Sequence, residues 1–291
     1  MSRYLDPRHA ALVPYTLGEQ PRGRKFIKLN TNESPYPPSP RVIEAITRAE
    51  VEDLRLYSDP TASDLLGAIA EFYGLEKNQV VTGNGSDEIL AFAFLAFCGQ
   101  KGVAFPAISY GFYPVFAELF GVRARPVELN ADFTIDVEPY LVPGENVVIA
   151  NPNAPTGLAL ELDQIEAILQ AHPDDVVMID EAYVDFGARG AVELLPKYDN
   201  LLIVQTFSKS RALAGGRIGF ALGNPELIAD LSAMKYSFNP YNLGRLRDKG
   251  ILVRWFDRAP IRDYLRVTVG SEEEMAAFVR AVEEIIREEA Q

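Results

Sequence analysis

The chain has 291 residues, of which 48% are hydrophobic and 24% charged, a composition typical of a soluble globular protein with a substantial core. Its net charge of −13 argues against nucleic acid as a partner, because contacts with a phosphate backbone need a basic surface. A single cysteine, Cys98, and two histidines provide too few groups for a disulfide, a zinc site or a Ser/Cys–His catalytic pair, so no metal is predicted.

No segment of the sequence is typical of a membrane protein or a secreted one. The longest apolar run, residues 89–98, is too short to cross a bilayer, and the N-terminus lacks the apolar stretch of a signal peptide. We therefore expect a cytoplasmic protein whose partners are small molecules rather than membranes or nucleic acid.

Residues 1–38 are rich in proline and glycine and show little periodicity, which predicts an extended N-terminal arm. Residues 39–240 are predicted to form a large domain, in which short apolar runs alternate with helical patterns from Gln79 onward. The runs cover residues 80–81, 103–105, 147–150, 176–179, 201–204 and 218–222. Strands that are apolar on both faces and separated by helices predict an α/β fold with a mainly parallel sheet flanked by helices.

Residues 241–291 have a different pattern. Residues 264–269 alternate as a half-buried strand does, and apolar residues between Met275 and Ile286 form one helical face. This pattern predicts a small α+β domain after the large one.

Three of the predicted strands are followed at once by polar residues, in segments that begin at Asn151, Asp180 and Thr206. Neighbouring parallel strands would bring these segments together in one crevice, where ligands bind in such sheets. A lysine there, Lys209, can form an imine with an aldehyde cofactor. An aspartate at a buried strand end needs a cation, which a protonated pyridine nitrogen supplies. The combination indicates pyridoxal 5'-phosphate (PLP).

A phosphate site is predicted where the loop at residues 83–88 opens a helix, because glycine-rich backbone and a helix N-terminus bind anions. Arg217 is a second candidate ligand. Each feature alone also fits an ordinary structural role: Asp87 and Glu88 suit the first turn of any helix, Asp180 suits a helix cap, and Tyr110 suits packing. The joint occurrence of these features in this order favours the functional interpretation.

Six segments in the same order resemble the histidinol-phosphate aminotransferases, a family of fold-type I PLP enzymes. They are YSDP at 57–60, GNGSDE at 83–88, ISYGFY at 108–113, NPNAPTG at 151–157, DEAY at 180–183 and TFSKSRALAG at 206–215. The resemblance covers nearly the whole chain from Tyr15. It implies a homodimer that transfers an amino group from histidinol phosphate to 2-oxoglutarate in histidine biosynthesis. Aromatic aminotransferases and threonine-phosphate decarboxylase have similar cofactor motifs and remain alternatives.

The resemblance also implies residue roles. Lys209 bonds the cofactor and moves a proton during the reaction, Asp180 pairs with the pyridine nitrogen, and Tyr110 stacks on the ring. Tyr183 and an asparagine, here Asn153, contact the ring hydroxyl. The residues implied around the phosphate are Gly85, Ser86, Asp87, Ser208, Arg217 and, from the other subunit, Tyr57.

On the substrate side, the resemblance assigns the anionic end of the substrate to Arg254 and Arg266, with Tyr15 closing over it. A guanidinium grips either a carboxylate or a phosphate through its planar fork, so one pocket would accept both substrates in turn. Arg266 also fits a solvent-facing position on an alternating strand.

The sequence departs from the family in two places. Ala154 stands where the family often has a second asparagine, and a long helix with part of the small domain is missing between about residues 242 and 246. Either this sequence omits a segment of the chain, or the protein is genuinely shortened and its small domain is incomplete. A protein that binds PLP without turnover is the alternative from another class.

Overall fold

The computed structural model describes residues 12–13, 32–45, 61–238, 254–255, 265–266 and 272–289. The chain divides into two compact units, Met1–Lys235 and Tyr236–Gln291. None of the helices in these described ranges has the length and apolar character needed to cross a membrane.

The first unit alternates helices with strands. Its helices are α1 (Pro40–Ala45), α2 (Ser63–Tyr73), α3 (Ser86–Lys101), α4 (Phe112–Phe120), α5 (Leu162–Ala171) and α6 (Pro225–Phe238), the last of which runs past the boundary between the units. Its strands are β1 (Val80–Asn84), β2 (Val103–Pro106), β3 (Ala124–Val127), β4 (Asn146–Ala150), β5 (Val177–Asp180), β6 (Leu201–Thr206) and β7 (Ile218–Gly223). Short 3-10 turns cover Lys77–Gln79, Glu138–Tyr140, Val184–Phe186, Ala191–Leu194 and Ala214–Gly216.

The seven strands form one sheet in the order β1-β7-β6-β5-β4-β2-β3. Strands β6, β5, β4, β2 and β3 pair in parallel, whereas β7 is antiparallel to both of its neighbours, β1 and β6. The predicted mainly parallel α/β sheet is confirmed. The sequence did not predict β3, an edge strand whose first three residues keep some exposure.

Alternate residues of the central strands face two separate cores, which explains why these strands are apolar throughout. Ile149 and Ile179 belong to one core, together with residues of α2 and α5. Val148 and Met178 belong to the other, with residues of α3, α4 and α6. Both faces of the sheet are thus covered by helices, as is usual for parallel sheets.

Helix α3 accounts for the long apolar run in the sequence. Phe94, Leu90 and Cys98 on this helix are fully buried, so the run lies in the core beneath the sheet. The helix begins directly after Gly85, which has the left-handed φ of 83° that favours glycine. This turn places the first amides of α3 next to the end of β1.

The second unit contains a two-stranded antiparallel ladder, β8 (Arg254–Trp255) with β9 (Leu265–Arg266), and helix α7 (Glu272–Glu289). Helix α7 matches the helical face predicted near Met275. Only two residues of the strand predicted at 264–269 are described, and both lie in β9.

Candidate active site

The three strand ends that carry polar residues are adjacent. Strand β5 pairs in parallel with β4 on one side and with β6 on the other, with Asp180 opposite Ala150 and Val204. Parallel strands bring their carboxyl ends to the same edge, so the loops that follow meet there. A pocket of about 550 Å³ opens at this edge. It is lined by Ser86, Asp87, Tyr110, Ala150, Ala154, Asp180, Ala182, Tyr183, Thr206, Ser208, Lys209 and Arg217.

Asp180 is the last residue of β5 and is only 4% exposed. Its carboxylate accepts hydrogen bonds from the Tyr113 hydroxyl at 2.8 Å and from the Ala182 backbone N–H at 3.2 Å. Burial raises the pKa of Asp180 to about 6, and the two hydrogen bonds oppose that rise. A buried carboxylate that is held by two hydrogen bonds can pair with a cation on a bound ligand.

Lys209 lies in the loop after β6 and reaches the same pocket. Its Nζ lies 5.5 Å from the centre of the Tyr183 ring. The Tyr183 hydroxyl accepts a hydrogen bond of 2.9 Å from Asn32 Nδ2. Within the described part of the chain, Lys209 Nζ forms no hydrogen bond or ion pair, so the amine is accessible to an aldehyde in the pocket.

The loop between β1 and α3 forms a rim of the pocket, where its backbone packs closely against β7 and Arg217. A Cβ on Gly85 would lie 2.5 Å from Arg217 Nη2, and one on Gly219 would lie 2.3 Å from the backbone of both Gly85 and Ser86. Only glycine permits such approaches. Amides at the start of α3, the hydroxyls of Ser86 and Ser208, and the guanidinium of Arg217 therefore surround a small space with hydrogen-bond donors.

Asp87 connects Arg217 of this donor-rich rim to Tyr110, an aromatic residue that lines the pocket. Its carboxylate accepts a hydrogen bond of 2.6 Å from the Tyr110 hydroxyl and one of 3.3 Å from Arg217 Nη2. Tyr110 is half-buried and lines the pocket. The contact therefore fixes the tyrosine predicted to stack on a ring relative to the arginine predicted to bind a phosphate.

Asn153 is not part of the pocket wall. Its side chain is 1% exposed and bonds to Ser109 Oγ, to the Ile108 carbonyl and to Thr156 Oγ1. Ala154 lines the pocket at the next position. The amide of Asn153 thus ties two loops together, and Tyr183 is the predicted ring-hydroxyl partner that the structure brings to the pocket.

Four predicted site residues lie outside the described residues or in the second unit. Tyr15 and Tyr57 lie outside the described residues. Arg254 and Arg266 belong to the second unit, where they are directly paired across the β8–β9 ladder. The sequence predicted a strand around Arg266 only, whereas the structure puts both arginines on strands and in register with each other.

Two residues of the site were missed by sequence analysis. Tyr113 hydrogen-bonds Asp180, and Asn32 hydrogen-bonds Tyr183 across 151 residues of sequence. Tyr113 belongs to the ISYGFY segment but reads as an ordinary core aromatic of α4. No local pattern indicates either contact, because each depends on how distant segments pack.

The residues present fit PLP. The glycine-lined rim with its donors suits a phosphate group, buried Asp180 suits a pyridinium, and Lys209 suits an aldehyde. Tyr110 adds an aromatic ring to the lining of the same pocket. Each functional group of the cofactor thus has a chemically matched partner in one pocket.

Comparisons with known proteins agree with this chemistry. The profile of the family described as Aminotransferase class I and II matches residues 24–244. Histidinol-phosphate aminotransferase from Brachyspira hyodysenteriae is 43% identical over 354 residues, which cover 99% of this chain and 100% of the relative. The protein of the same name from Marinomonas sp. is 45% identical, over 97% of this chain and 99% of the relative.

A solved structure has the same fold. Histidinol-phosphate aminotransferase from Sinorhizobium meliloti, in complex with pyridoxal-5'-phosphate, matches 88% of this chain and 90% of its own with a TM-score of 0.61 and 23% identity. The alignment with the Brachyspira relative exceeds the 291 residues of this chain by 63, so the relative has residues that this chain lacks. The chain belongs to the class I and II aminotransferase family, which confirms the prediction of a PLP-dependent transaminase.

Proposed function

We propose that the enzyme transfers the amino group of histidinol phosphate to 2-oxoglutarate, giving imidazole acetol phosphate and glutamate in histidine biosynthesis. The observation that carries the proposal is the convergence of Lys209, Asp180 and the donor-rich rim in one pocket. Relatives named histidinol-phosphate aminotransferase, at 43% and 45% identity over nearly the whole chain, support this choice of substrates.

Asp180 and Lys209 would carry the proton chemistry. When bound, PLP supplies an electrophilic carbon and a ring that accepts electrons from the α-carbon of the substrate. The Asp180 carboxylate would hold the proton on the pyridine nitrogen by its charge. Lys209 Nζ would bond the cofactor aldehyde until the amino group of the substrate displaces it from that carbon, and the freed amine would then remove the proton from the substrate α-carbon as a general base.

Other residues would orient the cofactor. Ser86, Ser208 and Arg217 would hold its phosphate, and the Tyr110 ring would cover one face and keep water away. The Tyr183 hydroxyl, which accepts from Asn32, keeps its own hydrogen free to donate to the ring hydroxyl. These contacts fix the ring on several sides at once, which favours the geometry needed for proton transfer.

Arg254 and Arg266 are the proposed ligands of the anionic end of the substrate. The ladder places them opposite each other. Two cationic residues in opposed register are unfavourable unless an anion balances them. A substrate phosphate or carboxylate provides that charge, and Tyr15 is proposed to close over it.

The enzyme is further proposed to work as a cytoplasmic homodimer with shared sites. Tyr57 would reach the cofactor phosphate of the partner subunit, so that each pocket is completed only by association. The buried, unpaired state of Cys98 suits a reducing compartment.

A half-reaction assay tests the substrate assignment. The PLP-loaded protein is mixed with histidinol phosphate, glutamate, phenylalanine or threonine phosphate, and the visible absorbance of the cofactor is followed. We expect histidinol phosphate and glutamate to bleach it fastest, and 2-oxoglutarate to restore it. Preference for phenylalanine would assign the chain to the aromatic aminotransferases, and release of carbon dioxide from threonine phosphate would identify a decarboxylase.

The same assay addresses the shortened chain. Because the Brachyspira relative has residues that this chain lacks, a PLP-binding protein without turnover is the second candidate. Such a protein would bind PLP and show its absorbance, but no amino donor would change the spectrum. We expect turnover, since the pocket described above lies within the first unit and is lined by residues from Ser86 to Arg217.

A further inference from the structure

A partly buried polar network lies beside the candidate active site, and of its members only Thr206 lines the pocket. Its centre is Arg211, two residues after Lys209. Arg211 Nη2 donates to Gln205 Oε1 and to the Tyr73 hydroxyl, both at 3.0 Å, and Nη1 donates to the Thr206 carbonyl at 3.3 Å. Asp185 balances its charge with an ion pair of 3.5 Å.

Two aromatic rings hold the guanidinium of Arg211 in place. Its Cζ lies 5.0 Å from the centre of the Phe207 ring and 5.4 Å from that of Phe220. A planar guanidinium both stacks on rings and donates at its edge, which an ammonium does not reproduce. The position of Arg211 is therefore fixed by stacking as well as by hydrogen bonds.

From Arg211 the network continues to the residue next to Asp180. Gln205 Nε2 donates to Glu181 Oε2 at 2.8 Å, and the other oxygen of Glu181 accepts from the Ala191 backbone N–H at 2.6 Å. Glu181 and Gln205 are 2% and 3% exposed. A buried chain of hydrogen bonds thus joins the end of β5 to the end of β6.

The two ends of this network lie next to the two residues proposed to carry the chemistry. Asp180 and Lys209 line the pocket, whereas Glu181 and Arg211 do not. The loop that bears Lys209 has no regular secondary structure, and Ala212 within it has a left-handed φ of 54°. Such a segment needs side-chain contacts to hold one conformation.

We propose that Arg211, acting through Gln205 and Glu181, is a positioning residue that fixes the Lys209 loop relative to Asp180. The role rests on the proposed function, since it presumes that Lys209 bonds PLP. Arg211 itself is not among the residues that line the pocket. Its loss would let Lys209 move and admit water to its bond with the cofactor, where water favours the charged, protonated form of that bond.

The test compares Arg211→Lys with Arg189→Lys, a control at an exposed surface pair with Glu193. We measure the pH midpoint of the absorbance change of bound PLP, which reports protonation of its bond to Lys209, together with kcat, KM and thermal unfolding. Arg211→Lys is expected to raise the midpoint and lower kcat about tenfold, because misplacement costs rate, with a much smaller change in KM. The control should match the wild type.

A second variant guards against misfolding of the first. Tyr73→Phe removes one hydroxyl of the network but keeps the ring, and should change the midpoint and kcat in the same direction by a smaller factor. The positioning role would be overturned if both variants had the same pH midpoint and kcat as the control, even if their thermal stability were lower. If the wild type bonds PLP but does not catalyse transamination, the proposed function is wrong. The pH midpoint then still tests the positioning role of Arg211. A wild type that forms no bond with PLP overturns both proposals.

Discussion

The hydroxyl of Tyr113 donates a 2.8 Å hydrogen bond to the Asp180 carboxylate, although the two residues are 67 positions apart in the sequence. Tyr113 is fully buried among the aromatic residues of the core, with ring contacts to Phe94 and Phe105. The core therefore presents a fixed donor to a buried carboxylate that lines the pocket. The donor favours the charged form of Asp180, against the effect of burial.

Tyr113→Phe should weaken PLP binding about tenfold at neutral pH, because a hydrogen bond to a charged group is lost and the pKa of Asp180 rises further. The loss should shrink at higher pH, where Asp180 ionises without help. Spectroscopic titration with PLP across this pH range checks both points. Tyr140→Phe is the matched control, since Tyr140 is equally buried and its hydroxyl has no partner among the described residues. Equal affinity of Tyr113→Phe and the control would remove Tyr113 from the site.

Asp180→Asn should change the pH dependence of stability in the protein without PLP. The native pKa of Asp180 is raised from 3.8 to about 6, so between these values the native state binds more protons than the unfolded state. Stability then falls as pH rises through this window, by up to ~3 kcal/mol for this group. The asparagine variant lacks this loss, and should be the more stable protein above the window and similar to the wild type below it.

Urea unfolding of both cofactor-free proteins from acid to neutral pH measures this difference. Glu181, whose pKa burial raises to about 7, contributes a loss of the same sign to both proteins, and this loss is larger in the wild type because the Asp180 charge raises the Glu181 pKa further. Parallel stability curves for the two proteins would contradict the account. With PLP present the order should reverse, because only the carboxylate holds the pyridinium charge and ligand binding stabilises the native state.

Gly219→Ala should disrupt the rim of the pocket. Its new Cβ would lie 2.3 Å from the backbone of Gly85 and Ser86, so that loop must move away from β7. We expect PLP affinity to fall at least about tenfold, since the amides proposed to hold the phosphate are displaced. Gly215→Ala is the control, because a Cβ there meets nothing within 4 Å. Retention of wild-type affinity by Gly219→Ala would show that this loop does not bind the cofactor phosphate.

The central strands and the key residues at their ends could be predicted from sequence because both signals are local. Strands β4, β5 and β6 each contain a continuous apolar run; Asp180 ends the strand β5, and Lys209 lies in the loop that follows β6. The adjacency of the three strands then follows from general rules of α/β sheets. The strand β3 lacks this signal, because an edge strand with partly exposed residues does not read as apolar.

Other features needed the structure, because they depend on packing between distant segments. The direction of β7 cannot be predicted from its sequence, because a strand that is nearly buried on both faces is apolar whether it runs parallel or antiparallel to its neighbours. The contact of Arg211 with Tyr73 joins residues 138 positions apart. The sequence motif around Asn153 does not reveal that its amide bonds Ser109 and Thr156.

Association and cofactor binding should be linked if Tyr57 completes the site of the partner subunit. PLP should raise the dimer fraction, and dilution should loosen PLP, as mass action requires when a ligand prefers the assembled state. Sedimentation across a dilution series with and without PLP measures both effects. A monomer that holds PLP at full affinity would defeat the shared-site proposal.

The central claim is that Lys209 bonds PLP, and borohydride trapping tests it most directly. The PLP-loaded protein is reduced, digested and mapped by mass spectrometry, with Lys209→Ala treated in parallel. We expect the cofactor on the peptide that contains Lys209, and no trapped cofactor in the variant, because the only proposed nucleophile for the aldehyde is gone. Cofactor trapped on a different lysine, or equal trapping in Lys209→Ala, would contradict the account.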